Sequence, residues 1–154
     1  FFVSICFFEV VFMPGATTKI TVNTSIEKFY EVISDFESYP EFIPEMKDIK
    51  VNSMNEKQGE IEFALKMMGM SIEYTLKFEF DAPKEAKWTF VKGNKMKDNT
   101  GYWRLTAIDK NKVEAEYHAE LTLGALIPNA VADSLVKVGL PNLMKQFKDR
   151  AESL

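Results

Sequence analysis

The sequence is poor in the residues from which small proteins most often build chemistry. One cysteine, Cys6, and one histidine, His118, occur in 154 residues. A lone cysteine forms no internal disulfide, and a lone histidine supplies too few ligands for a transition-metal cage. Disulfide scaffolds and cysteine-based zinc sites are therefore excluded. Basic charge is not in excess either. Lysine and arginine total 19 against 23 acidic residues, a net charge of -4 with both signs interspersed, which argues against an electrostatic grip on DNA. No glycine-rich phosphate loop, nucleophile elbow or HExxH helix is present, and no repeat or low-complexity segment. No metal and no cofactor is called for. The scarcity of thiols fits a reducing compartment, so the cytoplasm is the expected location.

Long apolar runs are missing too. The stretch FFVSICFFEVVF at residues 1–12 is too short to span a bilayer and is interrupted by Glu9. It has neither the basic flank nor the small-residue cleavage pattern of a secretory signal. The expectation is that Met13 is the natural start, that residues 1–12 are an apolar extension outside the fold, and that residues 13–154 form a single domain. A chain of this length buries roughly two thirds of its unfolded surface in one core.

What is abundant is phenylalanine, with 13, and methionine, with 8. Hydrophobic periodicity places them. Thr18–Asn23 alternates and reads as a strand, and Thr24 or Ser25 can cap a helix over Glu27–Ser34 with Ile26, Phe29, Tyr30 and Ile33 on one face. A second, short helix over Phe36–Phe42 contains Pro40 and is closed by Pro44. From Met46 the period becomes two, and strands are expected near 46–54, 58–68, 71–80, 86–92, 99–108 and 112–124. Short breaks between them imply antiparallel neighbours. Helical spacing returns from about Pro128 to Ser153, with a kink at Pro141. Val131, Leu135, Val138 and Asn142 share one line of it and Val136, Leu140, Leu143 and Phe147 another, so the apolar stripe is wide. The fold class is α+β: a seven-stranded antiparallel sheet with one face to cover, and one helix long enough to cover it. The sheet should curl round that helix and leave a hollow.

The string DFESYPEFIPEMKDIKV at Asp35–Val51 resembles the hallmark of the polyketide cyclase/dehydrase and lipid-transport family, within the START and Bet v 1-like (SRPBCC) superfamily. GYWRL at Gly101–Leu105 and FKDRAESL at Phe147–Leu154 extend the resemblance over Thr18–Leu154. The coenzyme Q-binding (Coq10-like) and RatA-like branches are the most similar. The resemblance implies a helix-grip fold and a cavity between sheet and last helix for a hydrophobic small molecule such as a lipid, quinone or polyketide. It leaves transient membrane contact, a ribosome partner and an aromatase/cyclase activity open. A fold hosts many functions, so the site must decide.

On strand alternation the inward residues include Phe63, Leu65, Met67, Tyr74, Leu76, Phe78, Trp88, Phe90, Trp103 and Tyr117, and these are the candidate ligand-binding residues of the sheet. Leu135 and Val138 join them from the helix, and Tyr39 and Phe42 from the short helix at an expected entrance, where the Tyr39 hydroxyl could meet a polar head group. The same residues serve equally as plain core. Met67, Met68 and Met70, near a strand turn, add adaptable apolar surface. His118 falls on the outer face with Glu116 and Glu120, so no catalytic residue is assigned. For a cyclase the polar candidates are Tyr74 and Tyr117, and for a ribosome-binding protein a basic patch at Lys92, Lys95 and Lys97. The last helix, near Gly139 and Pro141, is the element expected to shift to admit a guest.

Overall fold

The computed structural model describes residues 11–154. Strand β1 (Val11–Val22) is followed by helix α1 (Ile26–Ser34), a 3-10 turn (Phe36–Ser38) and a one-turn helix α2 (Tyr39–Phe42). Six strands come next: β2 (Met46–Met54), β3 (Gln58–Met67), β4 (Met70–Asp81), β5 (Glu85–Gly93), β6 (Met96–Asp109) and β7 (Lys112–Leu123). A helical run closes the chain as α3 (Asn129–Ser134), a π-turn (Leu135–Gly139) and α4 (Leu140–Glu152). The strands form one curved antiparallel sheet in the order β1-β7-β6-β5-β4-β3-β2. Strand β1 starts at Val11, paired with Leu123, two residues before the expected domain boundary, and most of the expected 1–12 extension lies outside the described residues.

Local chemistry explains the elements. The Ser25 side chain accepts from the Lys28 N–H at 3.2 Å and caps α1, whose buried face is Phe29, Tyr30, Val32 and Ile33. The β3–β4 hairpin turns through Met68 and Gly69, both at positive φ (49° and 77°), the pairing that two-residue hairpins favour because its twist matches the strands. Pro141 offers no N–H to the carbonyl four residues back and its ring crowds that carbonyl. The helix accommodates it with the π-turn immediately upstream, where a kink was expected.

Two hydrophobic clusters hold the helical run on the sheet. The larger joins Val22, Phe29, Ile33 and Phe36 to Ile61, Phe63, Phe78, Trp88 and Trp103 of the sheet and to Met144, Phe147 and Ala151 of α4. Its aromatic rings interlock, with Phe36 on Phe78 at 4.7 Å and Phe147 on Trp103 at 5.2 Å and on Tyr39 at 5.3 Å, the tilted and edge-on arrangements that aromatic pairs prefer. The smaller joins Ile72, Met96 and Leu123 to Ile127, Val131 and Ala132 ahead of the π-turn.

The sheet is thinnest between β5 and β6, where pairing is confined to Glu85–Trp88 against Gly101–Arg104. At the last rung Gly101 is pressed by its neighbours. A Cβ there would lie 2.2 Å from the His118 carbonyl oxygen and 2.5 Å from Trp88 Cζ2, so the indole packs directly over the bare backbone. Gly101→Ala is accordingly expected to lower unfolding free energy by at least about 2 kcal/mol through overpacking. Gly69→Ala, with open space round its Cβ position, is expected to lose only about 1 kcal/mol for its left-handed backbone. Urea denaturation of both variants measures the difference, and a Gly101→Ala protein as stable as the parent would contradict the packing described.

Candidate functional site

Between the two clusters the inward face of the sheet and the helical run enclose an apolar cavity of two lobes. The inner lobe, about 90 Å³, is bounded by Tyr39, Phe63, Leu76, Phe78, Trp88 and Trp103 with Phe147. The outer lobe, about 170 Å³, is bounded by Leu65, Met67, Met96, Ala119, Leu121, Leu135, Gly139, Leu140 and, at its mouth, Glu45 and Gln146. Six residues line both lobes: Ile43, Met46, Tyr74, Asn99, Tyr117 and Leu143. The lobes therefore adjoin, and Tyr74, Asn99 and Tyr117 mark the waist between them. A hollow of about 460 Å³ lies elsewhere, on outward-phase residues such as Asp48, Lys50, Glu62, Glu73 and Lys92, charged side chains of both signs facing water.

Eleven of the fourteen candidate residues border the cavity: Tyr39, Phe63, Leu65, Met67, Tyr74, Leu76, Phe78, Trp88, Trp103, Tyr117 and Leu135. Three do not. Phe42 packs half-buried against the larger cluster, edge-on to Phe147 and under the Arg150 guanidinium, which is itself paired with Glu41 at 3.0 Å. Phe90 is spent in packing against both clusters. Val138 is 53% exposed, because the π-turn shifts the phase of the helix just before it. Of the three methionines near the β3–β4 turn only Met67 reaches the cavity, while Met68 is exposed at the turn itself. His118 lies on the outer face, stacked on Tyr102 with ring centres 5.2 Å apart, its Nδ1 2.8 Å from Thr17 Oγ1.

The expected use of Tyr39 as a head-group donor is replaced by another: its hydroxyl donates to the Ile33 carbonyl and fastens α2 to the end of α1. A polar residue that the sequence reading passed over, Asn99, lines both lobes and shares the phase of Trp103 and Leu105 on β6. Asn99 is 7% exposed, and its Oδ1 accepts from Trp88 Nε1 at 2.9 Å. Burial holds the Tyr74 and Tyr117 hydroxyls far above the ordinary phenol value of 10.0, with their mutual proximity adding to the effect at Tyr74. Both are therefore neutral donors at neutral pH.

A single curved sheet gripping one helical run over an apolar space defines a helix-grip fold. The chain belongs to the polyketide cyclase / dehydrase and lipid transport family, whose profile matches residues 13–152. Among curated relatives it is similar to the ribosome association toxin RatA of Escherichia coli (strain K12), 22% identical over 99% of this chain and 96% of that one. Among solved structures it resembles the Zhui aromatase/cyclase from Streptomyces sp. R1128, with a TM-score of 0.77 and 14% identity over 90% of this chain and 93% of that one. It resembles equally a STAR-related lipid transfer protein from Xanthomonas axonopodis, with a TM-score of 0.77 and 12% identity over 92% of each. At such identities these structures share the fold. Among the described residues no helix is long and apolar enough to cross a membrane.

Two outcomes are expected. Asn99→Leu leaves the buried Trp88 N–H without an acceptor and should cost about 1–3 kcal/mol. The Trp88→Phe/Asn99→Leu double variant should lose about 1 kcal/mol less than the two singles combined, and strict additivity in denaturant titrations would dissolve the pairing. Secondly, all five tyrosines have folded-state values above 10.0, Tyr30 being pushed up to about 12 by burial and then by Asp81. A value raised on folding means stability that is intact below pH 10 and is lost as pH rises past it. Tyrosinate absorbance at 295 nm from the buried Tyr39, Tyr74 and Tyr117 should therefore rise only together with loss of structure. Free titration of all five tyrosines at pH 10 in the folded protein is the contrary result.

Proposed function

We propose that the chain binds a small hydrophobic ligand in the two-lobed cavity and carries it through the cytoplasm, loading and unloading by transient contact with membranes. The observation that carries this reading is the cavity itself, a space left open between two well-packed clusters and lined by aromatic, aliphatic and methionine side chains around three polar groups. That is the composition of small-molecule sites. Membership of a family described by lipid transport, and likeness to a lipid transfer protein, support it.

Burial supplies the affinity. Each methylene moved from water into such a space contributes about 0.8 kcal/mol, so a guest of several carbons binds without any ion pair. An apolar cavity of about 150 Å³ is large enough for a benzene ring, which sets the scale of the outer lobe alone. A lipid chain, a quinone or a polyketide-like ring fits that scale with one end in the inner lobe and the rest toward Glu45 and Gln146. The π-turn lies over the outer lobe and Gly139 borders it, so this stretch of helix is the element that yields when a guest enters.

A second reading, association with the ribosome, draws on the RatA likeness over 99% of the chain. Its basic patch is small. Lys92 and Lys97 are exposed near the β5–β6 turn, but the Lys95 ammonium donates to the Ser71 carbonyl at 2.7 Å.

Native mass spectrometry of the protein purified from an expression host, followed by denaturing extraction, is the test. A lipid or quinone released in stoichiometric amount is the expected outcome. An empty protein that also shows no thermal shift with a panel of lipids and quinones counts against the carrier and in favour of the ribosome reading.

A further inference from the structure

The polar groups at the waist of the cavity are neutral, and all of them donate. The indole N–H of Trp88 is a donor only, so its bond to Asn99 fixes Oδ1 toward the indole and leaves the Nδ2 hydrogens on the cavity side. Three tyrosine hydroxyls are committed to protein oxygens: Tyr30 to Glu85, Tyr39 to Ile33 and Tyr102 to Glu116. Those of Tyr74 and Tyr117 have no protein partner among the described residues. Every sealed side-chain nitrogen or oxygen among the described residues is hydrogen-bonded, so these unpaired donors are not sealed: Tyr117 lines both lobes, and Tyr74 lines both lobes and also the outward hollow. They are also close enough to influence one another and Tyr39 electrostatically.

Among the described residues, positive charge is absent from the same space. Neither lobe is lined by a lysine, arginine or histidine, and the one ionisable acid, Glu45, stands at the outer lobe. A carboxylate drawn into the waist loses its hydration, meets no counter-ion and approaches a like charge. A neutral carbonyl oxygen has two lone pairs and meets two phenols and an amide donor.

We propose that Tyr74, Asn99 and Tyr117 form a head-group subsite that accepts neutral hydrogen-bond-accepting oxygens, the carbonyl of a ketone, quinone, ester or amide, and refuses carboxylates. The subsite rests on the cavity being the ligand site. It sorts guests of similar apolar bulk by head group, so that a free fatty acid is a poor ligand where its neutral ester or a quinone of the same size is a good one.

Four probes with one ring system separate the terms: naphthalene, 2-acetonaphthone, 2-naphthamide and 2-naphthoate, the last two nearly isosteric and differing in charge. Affinities for the full chain come from NMR titration at pH 7. The ketone and the amide are expected to bind about tenfold tighter than the carboxylate and several-fold tighter than naphthalene, about one net hydrogen bond. In Tyr74→Phe/Tyr117→Phe, which keeps the ring volumes, the ketone's affinity should fall to about that of naphthalene, and each single variant should lose part of the advantage. The singles keep the comparison alive where the double variant folds poorly, as judged by its melting transition. Naphthoate binding as well as naphthamide, or a ketone preference that survives in every Phe variant, overturns the head-group rule while leaving the cavity as a binding site. Failure of all four probes to bind the parent protein removes the cavity reading and the rule with it.

Discussion

The helical run that closes the chain is clamped to the sheet near its two ends, and the space between the clamps is the cavity. At one end Met144, Phe147 and Ala151 are locked among the aromatic rings of α1, the 3-10 turn and the sheet. At the other Ile127, Val131 and Ala132 sit on Ile72, Met96 and Leu123. Burial of side chains of this size contributes about 1.5–3 kcal/mol each, so neither clamp is easily released. Among the described residues only Leu65, Tyr74 and Phe90 pack against both clusters, and two of these three line the cavity. A single helix cannot follow a curved seven-stranded sheet along its whole width, and what it fails to cover is left hollow. The π-turn lies in the unclamped middle, where an irregular turn is least costly to packing and most useful to a moving wall.

Much of this was legible because antiparallel strands write their burial into the sequence with period two. The six strands from Met46 onward fall within three residues of their expected bounds, and the acids and His118 lie on the outward phase. The helical elements were less transparent. Phe42 and Val138 carry the right chemistry at the wrong phase, one because a single turn of helix has too few residues to define a face, the other because a π-turn resets the count. Asn99 was passed over for the opposite reason. A polar residue at an inward position reads as an exception to the pattern, and such exceptions are where a buried hydrogen bond has to be looked for. Nor does periodicity say which inward residues meet a neighbour and which meet empty space, since that depends on how far the helix stands from the sheet.

The resemblance of Asp35–Val51 to the family hallmark has a physical content in this fold. Asp35 accepts from the Ser38 hydroxyl at 2.6 Å and closes the corner after α1. Phe36 enters the aromatic cluster, Tyr39 ties α2 back to Ile33, and Ile43 with Met46 forms part of the cavity wall. The motif builds the corner that brings α2 against the mouth of the cavity. It accordingly identifies the scaffold and is silent on any guest, since Tyr74, Asn99 and Tyr117 of the proposed head-group subsite lie on strands well outside it.

Those waist residues also bear on the integrity of the sheet. Backbone pairing between β5 and β6 stops at Trp88 and Gly101. On the outer face a ladder of side chains crosses the paired rungs, from Glu85 to Arg104 at 2.8 Å, Arg104 over Tyr102 at 3.9 Å, Tyr102 on His118 and His118 to Thr17. Exposed links of this kind contribute little each, about 0–1 kcal/mol. Beyond the last rung the strands are joined on the inner face by the hydrogen bond from Trp88 to Asn99, buried and therefore stronger than any link in the outer ladder. The same bond orients the Asn99 amide toward the cavity. Closing the sheet where its ladder fails and presenting a donor at the proposed subsite are thus one piece of chemistry, and a sequence that gave up Asn99 for a better-packed aliphatic residue would lose the buried bond and, with it, the proposed donor.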